Sequence, residues 1–119
     1  MNAANLSPID SVVFRTRNLE AVRHWYEQEF GLRVGTIERD GKTAPDADAR
    51  YVNFRSGDVL IGFETGDEVD RARLVFMSDD LAALKRELAS KGVRPSAEQG
   101  TWCIVKDPEG REVILQQRT

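Results

Sequence analysis

The 119-residue chain carries a formal net charge of −3 with both signs interspersed, which gives no electrostatic case for nucleic acid or an anionic membrane as partner. Its length suits one domain with one core, no stretch is apolar and long enough to span a bilayer, and Met1–Ser7 lacks a signal pattern, so a cytoplasmic location is the default expectation. A single cysteine, Cys103, excludes an intrachain disulfide framework, and a single histidine, His24, restricts metal sites and histidine-based catalysis.

The first segment, "SVVFRTRNLEAV" at 11–22, opens as a strand. Val12 and Phe14 point to one side, and Ser11, Val13 and Arg15 to the other. Asn18 is a candidate N-cap for a helix that carries Leu19, Val22, Tyr26 and Phe30 at helical spacing and stops at Gly31. Trp25 and Tyr26 belong to the core. Three extended runs follow, near Leu32–Arg39, Tyr51–Arg55 and Val59–Glu64, the last two joined by a turn at "SGD". The segment 40–49, "DGKTAPDADA", is the one substantial loop, either a lid or a solvated excursion.

After a polar link at 65–72 the pattern repeats. "RLVFMSDDLAAL" at 73–84 matches the first segment at a shift of sixty-two positions, with Val75 and Phe76 under Val13 and Phe14. Ser78 or Asp79 is the candidate cap of a second helix, which carries Leu81, Leu84 and Leu88 and ends at Gly92. Runs near Val93–Ala97, Thr101–Lys106 and Glu112–Gln116 follow, with a "DPEG" turn before the last. The chain thus reads βαβββ twice, over about 9–64 and 73–117. The fold class is α+β: the paired modules, two curved half-sheets placed edge to edge, form a curved mixed sheet with a concave trough and with helices on its outer side. Val113 and Leu115 face the helices, and Glu112, Ile114 and Gln116 face the trough. The side of Trp102 is open, because neither parity of "TWCIVK" is wholly apolar.

The paired modules, "RNLEAVRHWYEQEFGLRV" and "KDPEGREVIL", resemble the vicinal oxygen chelate superfamily of glyoxalases, bleomycin resistance proteins and extradiol dioxygenases. The resemblance covers about Ile9–Gln117. It implies a trough in which enzymes of the family hold a divalent metal through His, Glu or Gln on the first and last strands of each module. Here those positions hold Ser11, Arg73, Ile114 and Gly62, or Ile61 if the strand shifts by one residue. A guanidinium repels a cation, Ile and Gly offer no donor, and a serine hydroxyl is a weak ligand. The expectation is therefore no metal and no other cofactor, with a divalent metal held by Glu64, Glu112 and Gln116 as the alternative.

The residues expected to line a small-molecule site are Ser11, Tyr51, Asn53, Arg73, Trp102, Glu112, Ile114 and Gln116. Arg73 reads either as an anion recogniser or as the ion-pair partner of Glu112 or Glu64. Glu64 and Glu112 are the candidate catalytic bases if there is a reaction. Arg15 and Arg55 read as strand-end residues in solvent, His24 as a surface helix residue, and Cys103 as a buried small residue. Three functions fit. The first is metal-free binding of a small organic molecule, as in bleomycin-resistance-type sequestration, by a homodimer. The second is a glyoxalase-like or dioxygenase-like enzyme (a lyase, isomerase or oxidoreductase). The third is an association module that works through its sheet edges.

Overall fold

The computed structural model describes residues 8–45 and 48–119. Met1–Ser7 and positions 46 and 47 of the expected loop lie outside the described residues. The first module forms β1 (Ser11–Thr16), α1 (Leu19–His24), β2 (Arg33–Arg39), β3 (Lys42–Thr43), β4 (Tyr51–Ser56) and β5 (Val59–Thr65). The second forms β6 (Arg73–Ser78), α2 (Leu81–Ser90), β7 (Ala97–Gln99), β8 (Trp102–Lys106) and β9 (Glu112–Gln117). β1 pairs parallel with β5, and β6 with β9, so the opening strand of each module lies beside its closing strand. The remaining pairings are antiparallel, in the orders β1-β5-β4-β2-β3 and β6-β9-β8-β7.

The curved mixed sheet expected of the paired modules is built as two half-sheets, one per module, each with its opening strand at one edge. The repeat explains this: every module closes its own βαβββ ladder before the chain moves on. What joins the modules is the core beneath the helices. Tyr26, Phe54 and Phe63 stack there with ring centroids 4.8–6.1 Å apart, and Phe30 reaches Phe76 of β6 at 5.3 Å. Val113 and Leu115 are fully buried in the same cluster, with Val12, Phe14, Leu74 and Phe76 packed against it.

Helix α1 starts where expected, with the Asn18 side chain accepting from the Ala21 amide. α2 is capped by Asp80, not by Ser78 or Asp79. The Asp80 carboxylate accepts from the Ala83 amide, the spacing a cap requires, while Ser78 Oγ accepts from the Asp80 amide one step earlier. Beyond His24, α1 widens into a π-helical turn, Trp25–Glu29, closed by the Phe30 amide on the Trp25 carbonyl. This extra residue turns Trp25, Tyr26 and Phe30 together into the core. Gly31 and Gly92 end the two helices at φ +92° and +84°, a conformation in which a Cβ is strained.

Two extended runs differ from the sequence reading. Residues 40–43 form a tight hairpin, with Asp40 and Gly41 at positive φ and Arg39 paired with Lys42. The second strand of module two begins at Ala97 rather than Val93, because Val93 is buried just past α2 as part of the helix exit.

Candidate functional site

Each sheet has one face under its helix and one open face. In the first sheet Val52, Phe54, Ile61 and Phe63 are buried on the helix side, which leaves Gly62 on the open side beside Val13 and Asn53. The one-residue shift that would put Ile61 there does not occur. In the second sheet Cys103 and Val105 are buried, so Trp102, Ile104 and Lys106 share the open face with Gln116, Ile114 and Glu112. Burial pushes the Cys103 thiol up, as befits a core residue and not a nucleophile.

The open face of the first sheet holds a cleft of about 560 Å³ whose lining includes Ser11, Glu38, Arg50, Tyr51, Asn53, Leu60 and Glu64. Arg73 and Glu112 line a different cleft, of about 410 Å³, with Lys106 and Arg71. The structure therefore brings Ser11, Tyr51, Asn53 and Glu64 together, and separately Arg73 and Glu112. Trp102, Ile114 and Gln116 lie on the open face of the second sheet but border neither cleft. Ser11 thus borders the first cleft and Arg73 the second, and β1 and β6, which carry them, are edge strands of separate sheets.

Tyr51 and Asn53 are set by two close approaches. β2 carries an irregularity between Val34 and Ile37, which turns the Thr36 amide away from the ladder. Asn53 Oδ1 accepts that amide at 2.8 Å, and Asn53 Nδ2 donates to Tyr51 Oη at 3.1 Å. Gly35 lies against Asn53, and a Cβ on Gly62 would fall 2.7 Å from Tyr51 Oη. The Tyr51 ring thus occupies the space that a side chain at position 62 would need.

Arg73 donates to Glu112 at 2.7 Å, which is the ion-pair alternative of its sequence reading. With 71% of its side chain exposed, the pair adds little stability. Arg15 is held by Asp70, which accepts from both its guanidinium and its amide. The hydrogen bond from Arg15 draws the Asp70 carboxyl down to about 2. Arg55 and His24 are exposed.

The residues do not fit a divalent metal. Among the described residues no group of three His, Cys, Asp or Glu side chains is placed to hold one. Tyr51 covers Gly62, and Glu112 is engaged by Arg73 in a cleft apart from Glu64.

The polar cluster that the sequence reading missed is structural. Arg111 is 1% exposed and donates to Asp107, to Glu109 and to the carbonyls of Asp70 and Arg15. Tyr26 Oη donates to Asp107 at 2.8 Å. Glu109 in turn accepts from Thr16 and from the Arg17 amide. Burial raises the Glu109 carboxyl, but these hydrogen bonds outweigh it and the net shift is downward. The cluster ties α1, the end of β1 and the link between modules to the "DPEG" turn.

Comparison with known proteins agrees with this architecture. The family model for the glyoxalase-like domain matches residues 11–115. No curated protein sequence matches the chain. Among solved structures, TnmS3, an antibiotic binding protein from Streptomyces sp. CB03234, superposes with a TM-score of 0.78 at 16% identity, covering 98% of this chain and 100% of that one. A glyoxalase/dioxygenase from Nostoc punctiforme gives 0.76 at 14% identity, covering 100% and 96%. A lactoylglutathione lyase from Agrobacterium tumefaciens gives 0.71 at 17% identity, covering 94% of each chain. At such identities the structures speak for the fold alone, but the family model spans nearly the whole sequence. The chain belongs to the glyoxalase-like domain family, within the vicinal oxygen chelate superfamily.

Proposed function

We propose that the protein binds a small organic molecule on the open face of its sheets without a resident divalent metal, as a sequestering protein does. The observation that carries this reading is the state of the first-module position: Gly62 has no ligating group, Tyr51 lies over it, and a cleft of about 560 Å³ with mixed polar and apolar lining remains beside them. That volume lies within the range of small-ligand sites. The fold shared with an antibiotic binding protein supports the same reading. Elemental mass spectrometry on protein grown with zinc, manganese, nickel and iron tests it. Far less than one equivalent of every metal is expected, and a near-stoichiometric metal would overturn the reading.

The binding unit is a homodimer in this proposal. Val13, Val75 and Met77 lie on the open faces of the two edge strands and are 45%, 56% and 45% exposed. Such an apolar strip suits cover by a second copy, which would complete a trough that one chain leaves as two clefts. Trp102, Ile114 and Gln116 would then join the lining. Sedimentation velocity checks this: the wild type runs as a dimer and Val75→Glu shifts it toward monomer. A monomeric wild type would remove the second copy from the proposal.

A further inference from the structure

We infer that Tyr51 is a pre-oriented hydrogen-bond donor that selects ligands presenting a neutral carbonyl-type oxygen to the first cleft. The inference rests on the proposed binding function and names the ligand chemistry of that site. It follows from a chain of donors whose direction is fixed at its start. A backbone amide can only donate, so the Asn53 oxygen must face the Thr36 N–H. The Asn53 Nδ2 then faces Tyr51 and, also being only a donor, obliges Tyr51 Oη to accept. The phenolic proton of Tyr51 must therefore go elsewhere, and among the described residues no acceptor takes it.

The geometry that holds this arrangement is specific. Asn53 is 4% exposed, so its amide is locked in a dry setting. Gly35 and Gly62 leave the room that Asn53 and the Tyr51 ring need. Tyr51 and Asn53 both line the cleft. An aligned donor of this kind needs little reorganisation to meet an acceptor. The acceptor is not an anion: among the described residues Asp10, Glu38, Asp40 and Glu64 line the same cleft against one cation, Arg50. A carboxylate or phosphate would be repelled, whereas a lactone, amide or ketone oxygen would not.

Two probes of the same bicyclic shape test this, coumarin with a lactone carbonyl and naphthalene without one, titrated into isotope-labelled protein and followed by NMR. The wild type should hold coumarin about three- to tenfold more tightly than naphthalene, the range of one net hydrogen bond. Tyr51→Phe keeps the ring over Gly62 and should abolish that preference. No preference in the wild type, or one that survives in Tyr51→Phe, overturns the inference. Binding of neither probe counts against the proposed function instead. In that event neutron diffraction on deuterium-exchanged crystals decides the inference alone. A Tyr51 deuteron directed into the cleft upholds it, and one directed at Asn53 overturns it.

Discussion

Replacing Arg111 by methionine removes the cation at the centre of the buried cluster while keeping an unbranched side chain in place. The Asp107 carboxylate is fully buried and Glu109 is 10% exposed, so neither can recover its lost partner from water. Two backbone carbonyls, of Arg15 and Asp70, lose a donor as well, and Phe63 loses the guanidinium stacked 5.2 Å from its ring centre. Breaking a buried pair on one side costs about 3–5 kcal/mol. A domain of this size has about 6–18 kcal/mol in total, so the variant should fold but only marginally. With about 4 °C of melting temperature per kcal/mol, the expected drop is about 12–20 °C. Urea unfolding followed by the fluorescence of Trp25, which is 7% exposed, should show the midpoint fall by about 1.5–2.5 M. Arg118→Met is the control. Its partner Asp79 is 88% exposed, and the loss should stay within about 0.5 kcal/mol. A loss below about 1 kcal/mol for Arg111→Met would refute the view that this cluster fastens the two modules.

Gly62→Ala should destabilise the fold by about 1–3 kcal/mol through collision with the Tyr51 ring, and Tyr51→Ala in the same chain should relieve most of it, as a double-mutant cycle by urea unfolding would show. Acid sensitivity has a defined sign. The Asp70 carboxyl is lowered from 3.8 to about 2 by its hydrogen bond to Arg15, so its contribution is fully present above pH 3.8 and is lost as pH falls toward 2. Glu109, also lowered, acts in the same direction. In thermal melts over this range Asp70→Asn should flatten the fall in stability, and an unchanged slope would contradict the assignment.

The parts of the fold that repeat along the chain were legible in its sequence. Strict alternation placed Val12 and Phe14 in β1 and Val113 and Leu115 in β9 on the helix side, and a glycine marked each helix exit. The parity of β8 was not legible, because Trp102 is as apolar as Cys103. Only the burial of Cys103 and Val105 decides it. The Asp40–Gly41 hairpin carried a recognisable two-residue turn signal, which the surrounding small residues masked. Arg111 carried none. Beside a glycine in a turn it reads as a solvated charge, and its partners Asp70 and Arg15 lie far away in sequence. The lining of the site was legible strand by strand but not as one surface, since pattern alone does not say that β1 and β6 end up on separate sheets.

The most direct test of metal-free binding is a thermal-shift survey of small organic molecules and of divalent zinc, manganese, nickel and iron, each with and without a chelator. The account predicts that some organic compound raises the melting temperature, that the rise survives the chelator, and that Leu60→Trp, which crowds the first cleft, reduces it. Stabilisation by a divalent metal alone, or by an organic compound only while a metal is present, would contradict it.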